Sequence, residues 1–327
     1  MGNPRKPGTW LSGVIGNSRH HYITRTNSTA NFKLHNCLKI NFILLLSFLT
    51  TLCFGQTKKK AQNADQSRPF VLGSVREIQS KVLAEKRILN IYVPEGYSDK
   101  DTTRYPVVYL LDGSADEDFI HVVGLYQFNN FSWIERVPKS IIVGIANVDR
   151  KRDFTYATTI EADKKRYPTA GHSDKFIAFL ESELQPYIQA KYKTAASKTL
   201  IGQSLAGLLA TEVLLKKPNL FSQYIIVSPS LWWDNGSLLN LNLEAMNQVI
   251  KSPKGVYIGV GKEGLGPSDI PHVMEVDANL LVEKLMLLKN PNLRIHFDYL
   301  PEENHATITH QAVFNALRLL NPVPSKK

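Results

Sequence analysis

The chain has 327 residues, of which 43% are hydrophobic and 21% charged, so collagen-like, disulfide-scaffold and wholly disordered proteins are excluded. No run of 18 apolar residues occurs, which excludes a polytopic membrane protein. The formal net charge is +10, but residues 1–55 hold six basic and no acidic residues. The rest of the chain has 33 basic and 29 acidic residues, and so small an excess indicates no particular partner.

The N-terminal segment has the layout of a secretory signal peptide. Residues 40–55 are mainly apolar, follow two lysines, and end in the small Gly55 before a polar stretch. A basic flank, a short apolar region and a small residue at the cleavage point are the parts of such a signal. We therefore predict a leader and signal peptide over residues 1–55, cleaved near Gly55 and Gln56, and a periplasmic or secreted mature chain. A single membrane anchor is the alternative, but this run is short for a span of about 20 residues.

The positions of the cysteines bear on the chemistry of the mature chain. Cys37 and Cys53 both lie in the segment that is predicted to be removed. The mature chain then has no thiol, which excludes a cysteine nucleophile and a thiolate metal site.

The rest of the chain divides into three segments. Residues 56–68 are polar and are predicted to form a flexible linker. Residues 69–322 are predicted to form a single domain, and residues 323–327 a C-terminal tail.

Residues 69–322 alternate short apolar runs with segments of helical periodicity. Continuous apolar runs such as residues 107–111 and 141–145 are typical of strands buried on both faces. Strands are predicted at 87–93, 107–111, 141–145, 198–201, 224–227, 255–260 and 293–300, and helices at 174–192, 205–217, 273–289 and 305–320. Strands that alternate with helices predict an α/β fold, with a mostly parallel central sheet covered by helices on both faces.

The strongest chemical signal is the sequence Gly-Gln-Ser-Leu-Ala-Gly at residues 202–207. It follows the predicted strand 198–201 and begins a helix, and a serine in such a strand–turn–helix unit has an exposed hydroxyl. Crowding in the turn requires small residues on either side of Ser204, and Gly202 and Ala206 meet that requirement, although glycine is more usual in the second place. A helix-capping serine is the structural alternative. The context favours a nucleophile.

A serine nucleophile needs a base and an orienting acid. His305 follows the last predicted strand and precedes the last helix, where the catalytic histidine of such a fold is expected. The acid should follow the strand at 255–260. Glu263 is the first acidic residue there and is the preferred candidate, with Asp269 and Asp277 as alternatives. A serine–histidine pair without a strict acid also stays open.

Nothing in the sequence indicates a cofactor, a metal or a nucleic-acid partner. Residues 259–264 match G-x-G-x-x-G, but a dinucleotide site needs a helix that begins at the third glycine, and Pro267 and Pro271 prevent one. His-Glu-x-x-His, Walker and acidic calcium motifs are missing from the sequence. The basic clusters lack the interleaved aromatic residues of nucleic-acid sites.

Five further segments of the chain are informative when taken together: YLLDG at 109–113, NVDRKRDFT at 147–155, DKF at 174–176, ELQPYI at 183–188 and SPSLWWD at 228–234. With Ser204 and His305, they resemble the Putative esterase (esterase D) family of α/β-hydrolases, most closely its branch of periplasmic trilactone siderophore esterases. The resemblance covers about residues 70–320 and is specific for the family rather than for a substrate. Two departures are Ala206 and Tyr156, where the family more often has glycine and proline.

The resemblance implies a serine hydrolase that cleaves carboxylic esters through an acyl-enzyme. The backbone N–H groups of Ser114 and Leu205 would form the oxyanion hole, with an ordinary strand-end turn as the alternative for the first. Trp232 and Trp233 would line the substrate cleft, unless they are core aromatics. Arg150 would meet an anionic substrate such as a catecholate siderophore, or otherwise lie on the solvated surface.

The expected partner is a small-molecule ester, with no stable membrane insertion after the signal is removed. Two other functions stay open at this stage. One is an acyltransferase that passes the acyl group to a sugar or lipid alcohol, and the other is a non-catalytic binding protein built on a hydrolase fold.

Overall fold

The computed structural model describes residues 67–100 and 102–322. The predicted leader and signal peptide, most of the predicted linker and the C-terminal tail lie outside the described residues. None of the helices within the described part of the chain combines the length and the apolarity that crossing a bilayer requires.

The described residues form one eight-stranded sheet in the order β1-β2-β4-β3-β5-β6-β7-β8. The pairings from β4 through β8 are all parallel, and only the β1–β2 and β2–β4 pairings are antiparallel. This confirms the predicted mostly parallel sheet. The strands are β1 (Ser74–Ser80), β2 (Glu85–Tyr92), β3 (Tyr105–Leu110), β4 (Ile141–Ile145), β5 (Thr194–Gln203), β6 (Gln223–Val227), β7 (Lys254–Gly261) and β8 (Leu293–Leu300).

Helices cover both faces of the sheet, because its strands are apolar on both sides. Along β3, Val107 and Tyr109 pack into one core, and Val108 and Leu110 pack into the other. This alternation follows from the two-residue repeat of a strand. The first core includes side chains of α4, α6 and α8, and the second those of α1 and α9. The helices are α1 (Phe119–Asn129), α2 (Arg150–Phe154), α3 (Glu161–Arg166), α4 (Ser173–Phe179), α5 (Gln185–Lys191), α6 (Leu205–Lys216), α7 (Glu244–Val249), α8 (Met274–Leu287) and α9 (Ile308–Leu320).

The structure differs from the predicted elements at identifiable places. The edge strand β1 and the helices α1, α2, α3 and α7 were not predicted. The predicted helix 174–192 is interrupted by a π-helical turn at Leu180–Leu184, directly before Pro186 in the first turn of α5. Proline has no N–H to donate within a helix, and a π-turn is one way to accommodate it. The last helix begins at Ile308 rather than at residue 305.

A buried ion pair fixes α2 to the second strand of the sheet. Arg87 Nη2 lies 2.5 Å from Asp153 Oδ2, and each side chain is 1% exposed. Arg152 binds the other carboxylate oxygen of Asp153 and also Glu85. Because water does not reach either charged group, removing one of them would leave the other buried with fewer partners, which is energetically costly.

Three turns at the carboxyl edge of the parallel strands have strained backbones. Asp112, Ser204 and Ser228 follow β3, β5 and β6, with φ angles of 52°, 63° and 43°. Non-glycine residues rarely adopt such angles, and they concentrate at functional sites. The carboxyl edge of a parallel sheet is also where ligands of α/β proteins usually bind.

Candidate active site

Ser204 lies on a sharp turn between β5 and α6. Its φ and ψ are 63° and −121°, and its N–H donates to the Val227 carbonyl on the neighbouring strand at 3.0 Å. A Cβ on Gly202 would lie 2.4 Å from the carbonyl oxygen of Ala206. That crowding explains the small residues on both sides of the serine. The methyl group of Ala206 is fully buried in the core, so the departure from glycine is accommodated.

The side chains of Ser204, His305 and Glu263 form a continuous chain of hydrogen bonds. His305 Nε2 lies 2.9 Å from Ser204 Oγ, and its Nδ1 lies 2.6 Å from Glu263 Oε2. With Nδ1 facing a carboxylate, that nitrogen carries the proton, and Nε2 is left to accept one from the serine hydroxyl. The imidazole is 44% exposed, whereas the carboxylate is 3% exposed. The side chain of Gln203, which the sequence analysis missed, donates to the His305 carbonyl at 2.7 Å.

The environment of Glu263 keeps its carboxyl ionised. Burial by itself raises the pKa of this group, but hydrogen bonds from His305, from the Ser228 hydroxyl and from the Gly261 N–H at 3.1 Å outweigh burial. The pKa of Glu263 is therefore held below its ordinary value. Ser228 was not predicted as a site residue, although it begins the SPSLWWD segment.

A second carboxylate anchors the backbone of this loop. Glu275, in the first turn of α8, accepts the N–H of Glu263 at 2.8 Å and the N–H of Gly264 at 3.0 Å. The other two candidate acids have different partners. Asp269 is exposed and pairs with Arg166 at 2.8 Å, and Asp277 binds His272 Nδ1 at 2.9 Å. Of the three candidates, Glu263 is the carboxylate that the structure places on His305.

The turns that carry Ser114 and Leu205 follow the adjacent strands β3 and β5. Leu205 is the first residue of α6, where N–H groups have no acceptor within the helix. The turn that carries Ser114 packs closely against β4, and glycines at the contact permit this. A Cβ on Gly113 would lie 2.4 Å from the Cα of Gly144. Ser114 N–H is 3.4 Å from a carboxylate oxygen of Glu117, a long contact with an exposed side chain.

Arg150 joins these two turns rather than facing a substrate. Its guanidinium binds both carboxylate oxygens of Asp112, at 2.7 and 2.9 Å, and donates to the carbonyl of Gln203 at 3.2 Å. Asn147 donates to the same carboxylate at 2.6 Å. The charge of Arg150 is thus balanced within the protein. The expectation that it meets an anionic substrate, or lies free on the surface, is not met.

Acidic side chains surround the turn after β3. Burial, together with the neighbouring charges of Asp112 and Glu117, raises the pKa of Asp118 to about 6, and Arg150 offsets this only in part. Around this turn, the side chains of Asp112, Glu117 and Asp118 outnumber the guanidinium of Arg150.

The two tryptophans have different environments. Trp232 lines a cavity of about 150 Å³ together with Ser204 and His305. Trp233 is buried behind it, and its Nε1 donates to the carbonyl of Tyr156 at 2.9 Å. Both side chains are buried, at 5% and 1% exposure, but Trp233 is not among the described residues that line the cavity, so the expectation that it lines the cleft is wrong and its alternative as a core aromatic holds. Ser230, which was not predicted, also lines this cavity, with its Oγ 3.4 Å from Ser204 Oγ.

Within residues 67–100 and 102–322, no three His, Cys, Asp or Glu side chains are arranged to hold a metal ion. Ser204, His305 and Glu263 supply a hydroxyl, an imidazole and a carboxylate that are hydrogen-bonded in that order. This set can move a proton and activate an oxygen nucleophile.

Fold and comparisons place the protein among the α/β-hydrolases, in the class of carboxylic ester hydrolases. The family described as Putative esterase matches residues 80–269, and the chain belongs to that family. This confirms the resemblance drawn from the sequence.

Three similar proteins illustrate the membership. An IroE-like serine hydrolase from Shewanella oneidensis is 32% identical, with a TM-score of 0.65 over 75% of this chain and 79% of that one. The BES protein from Bacillus cereus is 28% identical, with a TM-score of 0.67 over 79% and 98% of the two chains. The ferri-bacillibactin esterase BesA of Bacillus subtilis is 26% identical over 78% of this chain and 92% of its own.

Proposed function

We propose that the protein is an exported serine esterase in which Ser204 is the nucleophile, His305 the general base and acid, and Glu263 the acid that orients the imidazole. The observation that carries this proposal is the unbroken hydrogen-bond chain from Ser204 Oγ through both nitrogens of His305 to a buried carboxylate. The signal-like layout of residues 1–55 supports export.

The first half of the reaction transfers the acyl group to the enzyme. His305 Nε2 takes the hydroxyl proton while Ser204 Oγ forms a bond to the ester carbonyl carbon, which gives a tetrahedral oxyanion. The N–H groups of Ser114 and Leu205 bind that oxyanion, each contributing roughly 3–4 kcal/mol. The C–O bond to the alcohol then breaks, and His305 gives its proton to the leaving oxygen. Glu263 stabilises the imidazolium that exists in between.

The second half releases the acid. His305 removes a proton from water, whose oxygen attacks the acyl carbon, and Ser204 leaves with the proton returned by the imidazole. Arg150 contributes indirectly, by tying the turn at Asp112 to the carbonyl of Gln203 beside the nucleophile.

The substrates are small esters of the siderophore type. Support comes from the relatives, because BesA is a ferri-bacillibactin esterase and a 27% identical relative from Aspergillus fumigatus is a siderophore triacetylfusarinine C esterase. The second relative matches only 48% of this chain.

The test is turnover of 4-nitrophenyl esters and of a trilactone siderophore by the purified protein and by Ser204→Ala. We expect Ser204→Ala to lose several orders of magnitude in kcat with an unchanged unfolding temperature. Ser173→Ala is the matched control, because Ser173 is a buried serine in α4. Equal activity of Ser204→Ala and the wild type would overturn the proposal. An acyl product found on an added alcohol rather than on water would identify an acyltransferase instead.

A further inference from the structure

The cavity beside Ser204 is small and has apolar walls. Its volume is about 150 Å³, and its apolar walls come from Trp232, Leu265, Pro267 and Met274. An enclosed apolar protein cavity of about 150 Å³ holds one benzene molecule, and this cavity has a similar volume although it is partly open and is also lined by Ser204, Ser230 and His305. The space next to the nucleophile therefore matches a group the size of one six-membered ring.

The charges around this cavity disfavour an ionised group. None of the described residues that line it is a Lys or an Arg. Arg166, the last residue of α3, binds the loop beside the cavity through Asp269 and the carbonyl of Pro267. The charged side chain in the lining is the buried carboxylate of Glu263, which would repel an anion.

The outer wall is a tethered loop between Gly264 and Met274. Gly266 N–H donates to the His272 carbonyl at 2.8 Å, and Met274 N–H donates to the Gly264 carbonyl at 2.9 Å. Gly266 also packs closely on the indole of Trp232, since a Cβ there would lie 2.7 Å from its Cδ1. Leu265 on this loop is 70% exposed, so the size limit is set by the buried side chains of Trp232 and Met274.

We propose, on the basis of the serine esterase activity proposed above, that this cavity binds one arm of the ester and restricts it to a neutral group of about one six-membered ring. The arm is either the acyl or the alcohol side of the scissile bond. The other arm lies outside this cavity, and we expect no comparable limit on its length.

Two series of neutral esters test the proposal and identify the arm. In the first, 4-nitrophenol is esterified with linear acids of two to twelve carbons and with benzoic acid. In the second, acetic acid is esterified with linear alcohols of the same lengths and with benzyl alcohol, and acid release is followed by pH-stat. We expect kcat/KM to fall about tenfold or more beyond roughly six carbons in one series, and to stay level in the other.

Variants of the walls link the limit to this cavity. Gly266→Ala should shift the limit to a shorter chain, because its methyl group pushes Trp232 inward. Gly124→Ala is the control, since a Cβ at Gly124 in α1 has nothing within 4 Å. Met274→Ala should shift the limit to a longer chain, with the equally buried Met246→Ala as its control.

Four results would overturn the proposal: no size limit in either series, a limit in both series, a limit that neither wall variant moves, or faster cleavage of an added ester whose arm ends in a carboxylate than of the neutral ester of the same length. If these occurred with Ser204-dependent turnover, the esterase proposal would stand while the cavity proposal failed. Loss of Ser204 dependence would overturn both.

Discussion

Removal of the Ser228 hydroxyl is expected to weaken catalysis without unfolding the protein. Ser228 is fully buried at the end of β6, and its hydroxyl donates to Oε1 of Glu263, the oxygen that does not bind His305. In Ser228→Ala this carboxylate keeps the contacts from His305 and from the Gly261 N–H but loses one of its three hydrogen-bond donors.

The magnitude follows from the burial of the carboxylate. A hydrogen bond to a charged group contributes about 1.5–3 kcal/mol. Water cannot readily replace it, because the Glu263 side chain is 3% exposed. If this stabilisation is lost in the transition state, where the imidazolium forms, kcat/KM falls roughly 10- to 100-fold. The pKa of Glu263 rises at the same time, since one of the contacts that hold it low is gone.

The assay is the pH profile of kcat/KM for a 4-nitrophenyl ester. We expect the acid limb of Ser228→Ala to move to higher pH, because Glu263 is ionised only above its raised pKa. Ser173→Ala removes another fully buried hydroxyl, one with no hydrogen-bond partner among the described residues, and should leave the profile unchanged. If Ser228→Ala matched Ser173→Ala in rate and pH profile, our account of Glu263 would be refuted.

Three further changes test the fold around the site. Gly202→Ala should lower stability by about 1–3 kcal/mol in urea unfolding through overpacking, whereas Gly124→Ala should not, and equal stabilities would contradict the crowded turn. Asp153→Ala should cost roughly 3 kcal/mol, at the lower end for a broken buried pair, because the buried Arg87 then keeps Glu85 as its remaining carboxylate partner, and a cost near zero would show that Glu85 alone is sufficient. Burial raises the pKa of Asp118 to about 6, so at higher pH the wild-type carboxylate is ionised in an unfavourable environment. Asp118→Asn should therefore raise the Tm at pH values above about 6, and this gain should vanish towards about pH 4. A gain in Tm that is independent of pH would contradict this explanation.

The central strands of the sheet, such as β4 and β6, could be predicted from the sequence because they are buried on both faces and so appear as continuous apolar runs. The edge strand β1 is mostly exposed, and its sequence SVREIQS has no such run. The positions of Ser204 and His305 follow from local patterns at the ends of β5 and β8, and their catalytic roles stay predictions. The family and fold implied by the resemblance are confirmed.

Three features of the site could not be read from local sequence, because they depend on contacts between distant segments. The choice of Glu263 over its rivals depends on where the loop after β7 places each carboxylate. Arg150 is neutralised by Asp112, which lies 38 residues away. The adjacent Trp232 and Trp233 are both buried and differ in that Trp232 lines the cavity, and two identical side chains in sequence give no signal of that.

The most direct test of the central claim is a fluorophosphonate label mapped by mass spectrometry of the digested protein. We predict one stoichiometric adduct on Ser204 that is lost in Ser204→Ala and forms much more slowly in His305→Ala, since the hydroxyl then has no base. An adduct on a different residue, or no adduct with the folded protein, would contradict the assignment of Ser204 as the nucleophile.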